Sequence, residues 1–225
     1  MSDLSNWKMC AAPDLKTVRG RFVSVEPAQF PGCAKDLFSV IGGLANDDLW
    51  TYIPIGPFED AEQFSAVMAY VIAQQNWRTH LFRDARTGAP LGMASYMRIR
   101  PEAGSAEVGS VVFSKQLQRT PAATEAMYLM VRHLFDDLGY RRYEWKCNNA
   151  NEASKRAAIR LGFSFEGVFR QDQVVKGANR DTAWYSIIDG EWPRVKAAFE
   201  AWLAPENFDE AGRQRRSLLE IRDAL

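Results

Sequence analysis

The sequence predicts a single α+β domain built on one mixed sheet. Stretches of alternating apolar residues, typical of strands, are interspersed along the chain with stretches of helical spacing. A chain of 225 residues fits one large domain or two small ones and can bury a sizeable core. No internal repeat, low-complexity tract or linker divides it, which favours one domain.

The composition excludes several classes of protein. Apolar residues make up 47% and charged residues 25% of the chain, as in ordinary soluble domains. Lys plus Arg and Asp plus Glu each total 28, and this balance argues against nucleic acid or an anionic membrane as the main partner. Cys10, Cys33 and Cys147 lack metal-ligand spacing and are expected to be free thiols. Without a signal peptide or a membrane-length apolar run, we expect a cytoplasmic protein.

The first half of the chain mixes strand and helix patterns. Residues 1–19 have no clear period and are expected to form an arm. Alternation predicts strands over Arg21–Glu26, Trp77–Arg86 and Leu91–Arg100, and apolar spacing predicts helices over Cys33–Leu44 and Asp60–Gln75. The stretch between these helices is rich in aromatic residues, and its prolines and glycine indicate a structured loop over Leu49–Phe58.

The second half is organised around the stretch from Glu107 to Phe163. A strand rich in valine leads through a polar loop into a helix predicted over Ala122–Leu138, with Thr120 as N-cap and Pro121 as first helical residue. The remaining elements are predicted as strand Arg141–Cys147, helix Asn151–Leu161, strands Ser164–Gln173 and Thr182–Ile188, and helices Glu191–Leu203 and Asp209–Leu225.

The strand–loop–helix connection before Ala122 is suited to an anion. A helix start aims several N–H groups and the positive end of the helix dipole at one point, and phosphate is the anion most often bound there. Taken alone, this stretch is more often an ordinary connection. No Gly-Lys-Ser/Thr follows the loop, so a nucleotide hydrolase would lack its lysine and its metal-binding hydroxyl.

Four stretches, in order and at matching spacing, resemble the GCN5-related N-acetyltransferases (GNAT), in particular the RimJ/RimL-type branch. The resemblance spans roughly residues 20–190 and departs from the family at Pro121, where the usual loop glycine is missing and one N–H is lost. The stretches are Ala106-Glu107-Val108-Gly109, the loop from Gln118 to Ala126, Asn151-Glu152-Ala153-Ser154 ten residues before Leu161-Gly162-Phe163, and Phe165-Glu166-Gly167 with Arg170, Asp181 and Tyr185.

The resemblance implies a fold and an activity. The fold is an α/β/α layered one, with a mostly antiparallel sheet of about seven strands and helices on both faces. The acetyltransferase domain would span residues 20–190, after an arm over 1–19 and before a helical extension over 191–225 that offers surface for a homodimer. The activity is acetyl transfer from acetyl-CoA to an amine, either a protein N-terminus or a small molecule, by direct attack in a ternary complex without a metal.

A non-catalytic acyl-CoA-binding or sensing module is the alternative function. Pro121 favours it, and so does Ala158, which stands where many members of the family have a tyrosine that protonates the leaving thiolate. The resemblance assigns Ser154 as the candidate acid instead and Glu107 as the candidate general base, because burial in a strand near the cleft would raise the pKa of that carboxyl. The simpler interpretations are that Glu107 is an exposed carboxylate on a strand and that Ser154 is a surface residue of a helix without a chemical role.

The resemblance also implies which residues contact the two substrates. The strand after Glu107, the loop and two helix starts are expected to hold the coenzyme through Val111, Val112, Phe113, Gln118, Arg119, Thr120, Ala122, Ala123, Thr124, Asn151 and Ser154. The amine acceptor is expected to contact Trp50, Tyr52, Phe58, Asp181 and Tyr185. Simpler roles stay open, since Asn151 could be a plain N-cap, the aromatic cluster could be core, and the last two residues could only close a hairpin.

Overall fold

The fold is built on one eight-stranded sheet, against which the helices pack. A computed structural model describes residues 3–225, so the first two residues of the predicted arm lie outside the described residues. The strands are β1 (Val18–Arg19), β2 (Val23–Pro27), β3 (Arg78–Asp84), β4 (Pro90–Arg100), β5 (Ser105–Phe113), β6 (Arg142–Asn148), β7 (Ser164–Val175) and β8 (Ala178–Ile188). They lie in the order β1-β2-β3-β4-β5-β6-β8-β7. Every neighbouring pair is antiparallel except β5 and β6, which are parallel.

Helices cover both faces of the sheet, as predicted. They are α1 (Ala34–Ile41), α2 (Ala61–Gln75), α3 (Pro121–Arg132, continued by a π-helical turn over His133–Asp137), α4 (Glu152–Arg160), α5 (Trp192–Leu203) and α6 (Leu218–Asp223). The core under α3, α4 and α5 includes Val108 of β5, whereas the core under α1 and α2 includes Val112. Among the described residues, no helix has both the length and the apolar character needed to cross a membrane.

Side-chain caps set where several helices begin. The carboxylate of Asp60 accepts hydrogen bonds from the N–H groups of Glu62 and Gln63 at the start of α2. Ser217 and Glu220 form a capping box at the start of α6. These caps satisfy N–H groups that the first turn of a helix leaves without a partner. The predicted start of the second helix is thereby confirmed.

The structure differs from the prediction at two places near the N-terminus. The sheet has eight strands rather than about seven, because Val18–Arg19, inside the predicted arm, pairs with β2. The helix predicted over Cys33–Leu44 ends at Ile41, since Gly42 adopts an extended conformation, and Leu44–Trp50 forms a 3-10 helix instead.

The helix predicted over Asp209–Leu225 is wrong over its first half. The carboxylate of Asp209 accepts hydrogen bonds from the N–H groups of Ala211 and Arg213, which closes a turn at this point. A side chain that captures nearby backbone N–H groups competes with helix formation. The helix therefore begins only at Leu218.

Glu125 of α3 joins the central helix to the start of the sheet. Its buried carboxylate accepts hydrogen bonds from the N–H groups of Arg21, Phe22 and Val23, at 2.8, 2.6 and 3.0 Å. A Cβ atom on Gly20 would overlap this carboxylate, so glycine allows the close approach. Hydrogen bonds to a buried charge are among the stronger ones in proteins, and these three connect segments about a hundred residues apart.

Replacing Glu125 by alanine is expected to lower the free energy of unfolding by about 3 kcal/mol, because three N–H groups lose a charged acceptor. Glu125→Gln keeps one carbonyl oxygen and should lose less. Urea unfolding curves measure both losses, with Glu102→Ala as a control at an exposed glutamate. Equal stability of Glu125→Ala and the control would show that Glu125 does not anchor the sheet.

Candidate active site

The strands β5 and β6 part midway along the sheet. They pair only from Ser105 with Arg142 to Val108 with Trp145. Beyond these pairs β5 stays with β4 and β6 stays with β8. The facing edges therefore have backbone N–H and C=O groups without a partner strand, and an extended chain could add to such an edge.

A bulge in β5 begins where the two strands separate. Between the pairs Met93–Val112 and Ser95–Gly109, β5 contains one more residue than β4. Ser110 lies in this bulge with a φ of 48°, in the left-handed region, and its buried Oγ has no hydrogen-bond partner among residues 3–225. A bulge bends a strand and re-aims its side chains. The sequence did not single out Ser110, because nothing in the local pattern predicts a positive φ at a serine.

The loop from Ser114 to Thr120 connects β5 to the start of α3. The N–H groups of Leu117 and Gln118 both donate to the carbonyl of Ser114, which tightens the loop. Arg119 then adopts a left-handed conformation, with a φ of 62°. Gln118 turns its side chain back to donate to the carbonyl of Phe113 at 3.1 Å, so it stabilises the loop itself.

The start of α3 has the features of an anion site. Thr120 caps the helix by accepting from the N–H of Ala123 at 3.3 Å, and its hydroxyl donates to Leu117 at 2.7 Å. Within the described part of the chain, the N–H groups of Arg119 and Ala122 donate to no protein acceptor. These donors lie at the positive end of the helix dipole, where a phosphate is stabilised. Although Pro121 lacks an N–H, its two neighbours at the helix start therefore still have N–H groups without a protein acceptor.

Thr124 lies in the first turn of α3. Its side chain is buried, and its hydroxyl accepts a hydrogen bond from Arg160 of α4 at 3.0 Å. The side chain thus ties α3 to α4 and does not face solvent. This contact joins the first turn of α3 to the last residue of α4.

The start of α4 lies on the β6 side of the gap. Asn151 is an N-cap, because its Oδ1 accepts from the N–H of Ser154 at 3.0 Å. The Oγ of Ser154 accepts from Nε1 of Trp145 at 3.0 Å. Since Trp145 is the last residue of β6 that pairs with β5, this bond places Ser154 beside the point where the strands part. The Ser154 hydroxyl also lies beside the thiol of Cys147, whose pKa is raised by burial.

Glu107 is buried and ion-paired. Its side chain is 8% exposed, and its Oε2 accepts from Nζ of Lys146 at 2.9 Å. The same ammonium group donates to Glu144 at 2.8 Å, and Nε of Arg98 lies 3.7 Å from Glu107. Burial raises the pKa of the Glu107 carboxyl above its ordinary value, and the positive charges of Lys146 and Arg98 limit that rise. The exposed strand carboxylate, the simpler reading of Glu107, does not match this environment.

One oxygen of the Glu107 carboxylate lies close to Gly109, where β5 and β6 begin to separate. A Cβ atom on Gly109, the first residue of β5 beyond its pairing with β6, would lie 3.2 Å from Oε1 of Glu107. The side chain that could accept a proton is thus next to the unpaired edge of β5. Lys146 and Glu144 were not singled out from the sequence, although their alternation along β6 places them on one face.

Two of the predicted acceptor residues belong to the core under α1 and α2. Trp50 is 1% exposed, and its Nε1 donates to the carbonyl of Ile41 at 2.7 Å. Phe58 is buried against it, with ring centroids 4.9 Å apart. Neither ring has the exposed surface that contact with an acceptor requires, because the aromatic cluster closes this core. Tyr52 differs, since its ring is 38% exposed and its hydroxyl donates to Ala150 at 3.3 Å.

The other two predicted acceptor residues lie on β8, away from Glu107. The carboxylate of Asp181 accepts from the N–H of Gln171 at 2.7 Å and so closes the β7–β8 hairpin beside a depression of about 670 Å³. Tyr185 is 2% exposed and packs on Phe165. It pairs with Trp145 and alternates with the residues on the Glu107 face, so it belongs to the opposite face of the sheet.

The β7–β8 hairpin also reaches across to the segment before α2. Near its tip, Lys176 donates from Nζ to the carbonyl of Trp50 at 2.8 Å. On the other side, Lys115 of the loop before α3 donates to the carbonyl of Ala45 at 2.6 Å. The 3-10 segment Leu44–Trp50 is therefore held to both the hairpin and the loop.

Comparison with known proteins identifies the family. A family model described as an acetyltransferase (GNAT) domain matches residues 32–164, more than half of the chain. The chain belongs to the GNAT acetyltransferase family. The predicted family and the predicted type of fold are therefore confirmed, with one strand more than expected.

Several GNAT proteins resemble this chain closely enough to compare. A crystal structure of a GCN5-related N-acetyltransferase from Brucella melitensis shares 42% identity, with a TM-score of 0.92, over 98% of this chain and 100% of that chain. The uncharacterized N-acetyltransferase YoaA of Bacillus subtilis is 27% identical over 68% of this chain and 88% of its own. A ribosomal-protein-serine acetyltransferase of Escherichia coli is 27% identical over 56% of this chain and 70% of its own.

Replacing Lys146 by methionine is expected to destabilise the GNAT fold by about 3 kcal/mol near neutral pH, because two buried carboxylates lose their shared cation. A carboxyl whose pKa is higher in the folded chain than in the unfolded chain makes stability fall as pH rises through that interval. Removing Lys146 raises the pKa of folded Glu107 further, so the deficit should be larger at about pH 8 than at about pH 5.

Urea unfolding at the two pH values measures this deficit, with Lys35→Met as the control at an exposed lysine. A deficit that stayed constant or shrank with rising pH would contradict the assigned coupling between Lys146 and Glu107.

Proposed function

We propose that this GNAT protein transfers the acetyl group of acetyl-CoA to an amine by direct attack in a ternary complex. The parting of β5 and β6 is the observation that supports this most strongly. Beside this gap are an unpaired strand edge, the Ser154 hydroxyl and the Glu107 carboxylate, and the loop after β5 leads into the N-terminus of α3. Acetyl transfer needs an oriented thioester, a base for the amine and a donor for the leaving sulfur.

The residues around the gap fit acetyl-CoA. The free N–H groups of Arg119 and Ala122, with those of the first turn of α3, suit a diphosphate. The unpaired edge of β5 suits the amide groups of the pantetheine arm. Together with the start of α4, the proposed contacts are Val111, Val112, Phe113, Gln118, Arg119, Thr120, Ala122, Ala123, Thr124, Asn151 and Ser154.

Glu107 and Ser154 have complementary roles in the proposed reaction. The amine nitrogen forms a bond to the acetyl carbon while the carbon–sulfur bond breaks. Glu107 takes the proton that the amine loses, since burial has raised the pKa of its carboxyl toward the range of a useful base. Ser154, held by Trp145, gives its hydroxyl proton to the departing sulfur. Solvent then returns a proton to Ser154 and takes the one held by Glu107, so both residues are restored.

The acceptor is proposed at the level of chemical class. The Escherichia coli relative named a ribosomal-protein-serine acetyltransferase makes a protein amine one candidate, and a small-molecule amine is the other. Tyr52 remains a candidate contact because it is exposed and bonded across to the loop before α4. A sensing module without catalysis would bind the coenzyme and leave every amine unmodified.

The proposed organisation of the chain agrees with two further observations. The hydroxyl of Tyr128 in α3 donates to Glu200 in α5 at 2.9 Å, which supports an extension over 191–225 packed on a domain over 20–190. The proposed arm over 1–19 joins the sheet at its end, where Val18–Arg19 pairs with β2. A homodimer through this extension is part of the proposal. Cys10, Cys33 and Cys147 are free thiols, which supports a reducing, cytoplasmic location.

Replacing Ala122 by glutamate is expected to raise the Kd for coenzyme A at least about tenfold, because a carboxylate at the helix start repels a diphosphate bound there. A negative charge near a helix N-terminus is favourable for the helix, so the melting temperature of the free protein should not fall. Calorimetry measures the Kd, and Ala122→Gln is the matched neutral control. Equal affinity for the two variants would place the diphosphate elsewhere.

Replacing Glu107 by glutamine is expected to lower kcat/KM for an acetylated amine at least about 100-fold, because the proton acceptor is lost. Acetyl-CoA should still raise the melting temperature. In the unmodified protein, kcat/KM should rise as pH increases through the raised pKa of Glu107, and this limb should be absent in Glu107→Gln.

Thiol release from acetyl-CoA with a panel of amines and N-terminal peptides supplies the rates, with Glu102→Gln as the control. Retention of activity within about threefold in Glu107→Gln would refute its role as base. Coenzyme binding without thiol release for any amine would favour the sensing module.

A further inference from the structure

Three residues at alternating positions of β8 carry buried polar atoms that lack a hydrogen-bond partner in the described part of the chain. They are Arg180 at Nε, Thr182 at Oγ1 and Trp184 at Nε1. Side chains two residues apart in a strand leave the sheet on the same face. We call these three residues the β8 row. None of them was singled out from the sequence, and none has a role in the proposed function.

The β8 row lies on the face of the sheet that carries Glu107. Trp184 pairs with Lys146 of β6, whose Nζ is 3.8 Å from the centroid of the indole ring and 2.9 Å from Glu107. These two distances place the indole ring of Trp184 within about 7 Å of the Glu107 carboxylate, a separation that a small acceptor can span. Trp184 also lines a depression of about 250 Å³ together with Arg142, Glu166, Gly167 and Phe169.

The polar atoms of the β8 row favour a ligand that presents an oxygen atom to them. The indole N–H of Trp184 and the Nε–H of Arg180 can only donate hydrogen bonds, whereas the hydroxyl of Thr182 can donate or accept. Buried donors without acceptors are costly, and a ligand oxygen that pairs with them removes this cost. The positive charge of Arg180 favours a carboxylate or a carbonyl dipole and disfavours a second cationic group.

We propose that the β8 row determines acceptor specificity by holding a carbonyl or carboxylate oxygen of the acceptor, with the acceptor amine toward Glu107. This inference rests on the proposed function. The preferred acceptors are then amines that carry such an oxygen within a few bonds of the nitrogen. Polyamines and simple alkylamines lack that oxygen and are poor acceptors.

Three related amines test this proposal. Leucinamide and leucine present an amide carbonyl and a carboxylate, respectively, and 3-methylbutylamine is the same carbon skeleton without either group. Trp184→Phe removes Nε1 but keeps a ring against Lys146, and Thr182→Val removes the hydroxyl at nearly constant shape. Tyr143→Phe is the control, because it removes a buried hydroxyl without a partner from the opposite face. Each variant is compared with the unmodified protein for one acceptor at a time, so differences in amine basicity cancel.

We expect Trp184→Phe and Thr182→Val each to lower kcat/KM for leucinamide or leucine about tenfold, mainly through KM, and to change that for 3-methylbutylamine less than about twofold. Tyr143→Phe should leave the three rates unchanged relative to one another. Whichever of leucinamide and leucine shows the larger fall in kcat/KM tells whether the β8 row favours a carbonyl or a carboxylate. Unchanged melting temperatures and acetyl-CoA shifts separate these effects from unfolding.

Equal losses for all three amines would overturn the proposal, because the variants would then act through the structure of the site. Lack of turnover of both leucine-derived acceptors would also overturn it. The proposed function is judged separately, since it fails only if acetyl-CoA does not bind at the start of α3 or if no amine in a wider panel is acetylated.

Discussion

The candidate site depends on the short length over which β5 and β6 pair. Among residues 3–225 they form the one parallel pair of the sheet, and they share four residue pairs, whereas their outer antiparallel neighbours pair with them on beyond that point. The bulge at Ser110 re-aims β5 just beyond the last shared pair. The sheet and its two cores hold this gap, and the bond from Trp145 to Ser154 places the first turn of α4 beside it.

The charged side chains beside this gap form one connected series of ion pairs. Glu107 shares Lys146 with Glu144, and Arg142 connects Glu144 to Glu166 with bonds of 2.6 to 2.8 Å. Each buried charge is therefore paired, which offsets the cost of removing it from water. The opposing effects of burial and of Lys146 on the pKa of Glu107 leave it a carboxylate that can accept a proton without leaving the ammonium group of Lys146 unpaired.

Local patterns predicted the parts of the structure that local interactions determine. The cap at Thr120 and the proline after it marked the start of α3, and alternation marked most strands. Contacts between distant segments left no such mark. Glu125 binds N–H groups more than a hundred residues away, and Lys146 meets Glu107 only because β6 lies beside β5. A cluster of aromatic residues has the same sequence signal whether it lines a pocket or, like Trp50, closes a core.

A crystal structure with bound coenzyme A tests the central claim most directly. We expect the diphosphate to contact the N–H groups of Arg119 and Ala122 and the pantetheine arm to lie between β5 and β6, with its thiol between Glu107 and Ser154. A diphosphate bound away from the start of α3, or a thiol outside the gap between these strands, would contradict it.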